Sequence, residues 1–80
     1  MESSQIVALL ETAFPNCRIS VEGGDGKFMV TAVGDVFDGL NSVKRQQAVY
    51  RVLNGHISSG AIHAVTMRLS TPAEQASSSS

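Results

Sequence analysis

The chain has 80 residues, 42% of them hydrophobic and 16% charged, with a formal net charge of −1, and a chain this short has room for about one small domain. The apolar share excludes a disordered chain, and the near-neutral balance lacks the basic surplus of a dedicated nucleic-acid binder. One cysteine excludes an internal disulfide, and the start Met1-Glu2-Ser3-Ser4 has no basic, apolar leader, so a reduced, cytoplasmic setting is expected.

Ile6, Leu9, Leu10, Ala13 and Phe14 recur at the spacing that lines one face of a helix, and they predict a first helix capped by Ser3 or Ser4 and stopped at Pro15. Cys17, Ile19 and Val21 alternate with polar residues and predict a half-buried strand. Gly23-Gly24-Asp25-Gly26 then reads as a four-residue hairpin loop. The stretch Lys27–Val33, apolar on both faces, predicts a more central second strand covered on at least one side.

Phe37-Asp38-Gly39 is expected to turn the chain. Asn41 or Ser42 then caps a helical stretch in which Val43, Tyr50, Leu53 and Ile57 share a face, with Val49 and Val52 beside it. Asn54-Gly55 is expected to break that stretch into two helices. Residues 62–70 predict a third strand, with His63, Val65, Met67 and Leu69 on one side and Ile62, Ala64, Thr66 and Arg68 on the other. Thr71-Pro72 ends it, residues 73–76 form at most one helical turn, and Ser77 to Ser80 read as a disordered low-complexity tail after a single domain over residues 1–76. No apolar run approaches the ~20 residues of a membrane helix.

The predicted order is α-β-β-α-α-β, an α+β fold with a three-stranded mixed sheet. A helical crossover permits the third strand to run parallel to the second. Parallel strands start at the same edge, which would set His63 beside the Gly23–Lys27 loop.

His63 is the candidate metal ligand, since imidazole suits iron and other borderline metals; the plainer alternative is a rim histidine bonded to backbone. His56 has no partner in reach by spacing. Cys17 occupies the inward phase of its strand and reads as a small hydrophobe. The literal G-x-x-G of Gly23–Gly26 joins two strands, whereas the nucleic-acid clamp of that pattern joins two helices, and no helix follows it to bind phosphate. The sharpest charge feature is Lys44, Arg45 and Arg51: residues 1–38 carry two basic and six acidic side chains, residues 39–80 four basic and one acidic. Such a patch suits DNA phosphate, an acidic partner surface or the carboxylates of glutathione, or is simply a solvated face. No paired base and nucleophile points to an enzyme.

The segments Thr31-Ala32-Val33-Gly34-Asp35-Val36-Phe37-Asp38-Gly39, Val43-Lys44-Arg45-Gln46-Gln47-Ala48-Val49-Tyr50, Ala61-Ile62-His63-Ala64-Val65 and Thr71-Pro72-Ala73-Glu74 together resemble the BolA family, in particular its bacterial acid-stress branch. The resemblance spans roughly residues 5 to 75 and implies the class II KH-like fold. It also implies a non-enzymatic adaptor that pairs with a monothiol glutaredoxin around a shared [2Fe–2S] cluster, with roles in iron–sulfur assembly or trafficking and in stress response. In that picture the glutaredoxin cysteine, glutathione and the BolA partner hold the cluster, His63 is the BolA ligand, and the chain alone is a monomer or weak homodimer.

The family's second ligand, a His or Cys, comes from the loop between the first two strands. Here Lys27 stands at that place, and a protonated amine has no free lone pair. The cluster is therefore expected to be held more weakly or differently. Partner contact is expected from Gly24, Asp25 and Lys27 on the loop and from Lys44, Arg45 and Arg51 on the helix. The resemblance also admits a DNA-binding regulator using the same basic helix. Gln75 follows Glu74 where many relatives carry Trp, so an aromatic anchor is missing.

Overall fold

A computed structural model describes residues 1–78. Helix α1 spans Ser3–Ala13, strands β1 and β2 span Arg18–Gly24 and Lys27–Val33, helix α2 spans Ser42–Ser58, strand β3 spans Ala64–Ser70, and helix α3 spans Pro72–Ser78. A short 3-10 turn, Asp35–Phe37, links β2 to α2.

The sheet order is β1-β2-β3. Strands β1 and β2 pair antiparallel from Arg18 opposite Val33 to Gly24 opposite Lys27. Strands β2 and β3 pair parallel, with Lys27 opposite Ala64 and Val33 opposite Ser70. The mixed sheet agrees with the helical crossover read from the sequence, and the central place of β2 with its apolar run. On β2, Phe28, Val30 and Ala32 are buried, while Lys27 and the residues that alternate with them are exposed or half-buried, so helices cover one face.

The core joins Ile6 and Leu10 of α1, Val49 and Leu53 of α2, those three β2 residues, Ile62 and Phe37. Phe37 is completely buried, so the segment read as a turn places its aromatic ring in the core. Val43, expected on the core face of α2, is 60% exposed, because the buried stripe runs through Val49 and Leu53, one helical turn apart.

Four local expectations are corrected. The cap of α1 is Glu2, whose N–H donates to Gln5 Oε1 at 2.7 Å, and Ser3 and Ser4 lie inside the helix. Asn41 caps α2, its Oδ1 accepting the Lys44 N–H at 2.9 Å, but Asn54-Gly55 does not split that helix: it continues to Ser58. An interior glycine costs only about 1 kcal/mol, which burial of Leu53 and partial burial of Ile57 on either side offset. The hairpin connection is two residues rather than four, since Gly23 and Gly24 are paired with Phe28 and Lys27.

The fourth correction lies at the C-terminal end, where α3 is longer than one turn and includes Ser77 and Ser78. Thr71 and Glu74 form a reciprocal cap: the Thr71 N–H donates to Glu74 Oε1 at 3.0 Å and the Glu74 N–H to Thr71 Oγ1 at 3.2 Å. Proline at the first helical position is preorganised for such a start. Ser79 and Ser80, the rest of the expected disordered tail, lie outside the described residues.

Candidate functional site

The hairpin tip is built from Asp25 and Gly26, both with positive φ, 54° and 79°. That pair of left-handed residues matches the two-residue turn whose twist suits a β-hairpin, and Asp and Gly adopt it at low cost. Parallel pairing brings the start of β3 to the same end of the sheet. The Gly26 carbonyl accepts two hydrogen bonds, from His63 N–H at 2.7 Å and Ala64 N–H at 3.1 Å, and the Ile62 N–H donates to the His56 carbonyl near the end of α2 at 3.0 Å.

His63 is thus tied to both the hairpin and the helix through backbone, while its side chain is exposed. The ring lies against Gly26: a Cβ built on that glycine would overlap Cδ2 of the imidazole. Tyr50, Ile57, Ile62, Ala64 and Val65 line a shallow depression with it. The expected proximity of His63 to the Gly23–Lys27 segment is therefore observed. Gly24, Asp25 and Lys27 are exposed at the same end of the sheet, with Lys27 opposite Ala64 in the ladder.

Cys17 lies elsewhere. Its Sγ packs against Gly34, eight residues along the chain from Gly26, or about 26 Å of extended strand. Burial pushes its thiol pKa up, and the carboxylate of Asp35 adds to the rise, the opposite of what a metal-binding or nucleophilic thiol needs. His56, half-buried, lines a groove between α1 and α2 with Leu9 and Val52. Among the described residues, no group of three or more His, Cys, Asp and Glu side chains is placed to hold a metal ion.

Lys44 and Arg45, at the start of α2, do not join this site. Helix α2 runs antiparallel to β3: Arg45 near its start reaches the Leu69 carbonyl at 3.1 Å, near the end of β3, whereas His56 near its end bonds Ile62 just before β3 begins. The six residues from His63 to Leu69 separate the two ends of the strand by about 20 Å. Lys44 and Arg45 therefore stand at the end of the sheet away from His63, and one surface joining them to the hairpin, as expected from sequence, is not formed.

Arg45 is also not a free cation. Its Nε donates to the Leu40 carbonyl at 2.8 Å, and its two terminal nitrogens grip both oxygens of Glu74 at 2.6 and 2.9 Å. The guanidinium side chain is only 13% exposed. This paired fork ties α2 to α3 and to the end of β3. The hydrogen bond from Arg45 is the main cause that holds the Glu74 carboxyl at a pKa of about 2, with the Thr71 N–H adding to it; the same bond raises the pKa of Arg45. Lys44 and Arg51 remain exposed on α2, about 10 Å apart along its axis.

Two site features escaped sequence reasoning. The capping signature Thr71-Pro72-Ala73-Glu74 was available as a Thr-x-x-Glu pattern, but its capture by Arg45 crosses 29 positions and leaves no local trace. The approach of the His63 ring to Gly26 likewise depends on strand pairing.

With this geometry in place, comparison with known proteins is decisive. A family model described as BolA-like protein matches residues 7–74. The chain belongs to the BolA-like family. This BolA-like protein is 46% identical over 74 residues to a protein of Acinetobacter guillouiae described as an uncharacterized protein in the rpoN-murA intergenic region, spanning 92% of this chain and 89% of that one. It is 42% identical over 76 residues to the acid stress protein IbaG of Escherichia coli K12, spanning 95% and 90% of the two chains. Among solved structures, the BolA domain of SufE1 from Arabidopsis thaliana has a TM-score of 0.81 at 30% identity and covers 90% of this chain and 93% of that one. The α+β architecture is the BolA-like, class II KH-like fold. No helix among the described residues is long and apolar enough to cross a membrane.

Proposed function

We propose that this BolA-like protein is a non-enzymatic cytoplasmic adaptor that pairs with a monothiol glutaredoxin and supplies His63 as one ligand of a [2Fe–2S] cluster shared with the glutaredoxin cysteine and glutathione. The observation that carries the reading is the exposed His63 ring, mounted by backbone bonds to Gly26 at the hairpin end of the sheet. A lone, rigidly mounted imidazole suits a site completed by a partner. Lys27, paired in the ladder with Ala64, the residue after His63, contributes charge rather than a lone pair, so the cluster is held more loosely than one with a second BolA ligand, and a complex without cluster forms as well. Likeness to a protein named for acid stress supports a role in stress response, and likeness to a BolA domain of SufE1 supports the adaptor reading.

The partner surface is the hairpin end, with Gly24, Asp25 and Lys27 around His63. The test mixes the protein with a monothiol glutaredoxin, glutathione and iron–sulfur reconstitution reagents and compares visible absorption and circular dichroism for wild type and His63→Ala. A changed spectrum supports ligation by His63; identical spectra overturn it. The DNA-binding reading loses its central cation, since Arg45 is engaged by Glu74, and rests on Lys44 and Arg51 alone. Two charges give a shallow salt dependence, about −0.9 per phosphate neutralised.

A further inference from the structure

Gly26, Gly39 and Gly60 have similar positive φ, 79°, 77° and 85°, yet their surroundings differ. A Cβ on Gly39 meets nothing within 4 Å. A Cβ on Gly26 would overlap Cδ2 of His63 and stand 3.0 Å from Cγ and 3.2 Å from Nε2. Cδ2 is thus the nearest ring atom, and the two atoms flanking it stand farther off on either side. The Cδ2 corner of the imidazole is therefore seated on the bare α-carbon of the hairpin, with Cγ and Nε2 flanking the contact and Nδ1 and Cε1 on the side of the ring away from it.

We infer that Gly26 is the positioning residue of His63: the missing side chain at the hairpin tip is the space that holds the Cδ2 corner of the ring and leaves Nδ1 on the side away from the hairpin. Turn geometry alone asks only for a residue that tolerates positive φ, which Asn does; the ring contact asks for glycine. Because His63 is exposed, a side chain at position 26 would turn the ring away rather than unfold the chain. The consequence for a shared cluster rests on the function proposed above, but the ring placement does not.

The experiment compares Gly26→Asn with Gly39→Asn, which carries the same backbone demand without a neighbour. In the wild-type apo protein, nuclear magnetic resonance is expected to show an Overhauser contact between His63 Hδ2 and the Gly26 Hα protons. That contact and the Hα–Hβ couplings of His63 should change in Gly26→Asn and stay as in wild type in Gly39→Asn. Absence of the contact in wild type, or unchanged His63 couplings in Gly26→Asn, overturns the inference. If Gly26→Asn does not fold, Gly26→Asn/His63→Ala decides: recovery of folding supports the ring clash, and equal failure overturns it.

In the reconstituted glutaredoxin complex, Gly26→Asn should reduce the His63-dependent part of the circular dichroism by about twofold or more, since ligand geometry tolerates only small displacements, while Gly39→Asn preserves it. An unchanged spectrum with a displaced ring overturns the positioning role. If His63→Ala itself leaves the spectrum unchanged, the cluster reading fails, and the apo measurements still decide the placement of the ring.

Discussion

The Gly26 carbonyl takes the His63 amide hydrogen at 2.7 Å while the Gly26 α-carbon backs the His63 ring. Residues 37 positions apart in sequence are thereby joined through backbone and side chain at once. The parallel β2–β3 pairing that produces this junction gives a solvent-facing imidazole a fixed mount without burying it.

Because the ring is exposed and its backbone bonds survive truncation, His63→Ala should change folding stability by no more than about 0.5 kcal/mol, the range of ordinary surface substitutions. Urea unfolding of the isolated protein measures this. A larger loss would mean that the ring is structural, and spectral changes in the glutaredoxin complex would need another explanation.

Arg45 acts through geometry as well as charge, bridging Leu40, Leu69 and Glu74. Arg45→Ala should lower the melting temperature and speed hydrogen exchange at the Glu74 and Gln75 amides that start α3. Arg45→Lys should restore little of either, because an ammonium cannot reproduce the paired fork. Full rescue by Lys would show that charge alone matters.

Glu74 sets an acid limit on the same clamp. Its carboxyl, at a pKa of about 2 in the fold, titrates near 4.3 when unfolded, so the folded value is depressed. The stabilisation it brings is complete above the unfolded value and fades as pH falls from there toward about 2. Between about pH 6 and about pH 3, wild type should lose more urea resistance than Glu74→Gln, which lacks the titration. Equal losses would remove Glu74 from the acid response.

Phe37 is fully buried although it sits in a three-residue 3-10 turn. Phe37→Ala should cost about 3–5 kcal/mol through lost burial and the cavity left behind, read from denaturant midpoints. Phe37→Leu should retain most of that stability.

Cys17, with its thiol pKa raised by burial beside Gly34, should react with iodoacetamide more slowly than glutathione at the same pH. Cys17→Ala should leave the visible spectrum of the glutaredoxin complex unchanged. A lost spectrum would place a ligand at the far end of the sheet.

Much of this was legible before folding was considered. Alternation over Cys17 to Val21 and the apolar run over Lys27 to Val33 marked two strands with the Gly-rich connection between them, and the 3.6-residue spacing of Ile6 and Leu10 marked the buried face of α1, because strand and helix periods are written into local order. What misled were places where tertiary burial overrides local preference. Gly55 looked like a break, yet Leu53 and Ile57 hold the helix through it; Val43 matched the apolar stripe, yet no element covers it.

At the candidate site the division is similar. Residue identity alone offered His63 as a candidate donor beside the plainer reading of a rim histidine and excluded an internal disulfide, while the expectation that Lys27 stands in place of a second ligand came from the family resemblance. Tertiary structure alone decided that Arg45 is consumed by Glu74, that Lys44 lies at the sheet end away from His63, and that Gly26 is the seat of the imidazole. Those outcomes follow from pairing β3 beside β2 and laying α2 back across them, which joins residues far apart in sequence and is recorded in no local pattern.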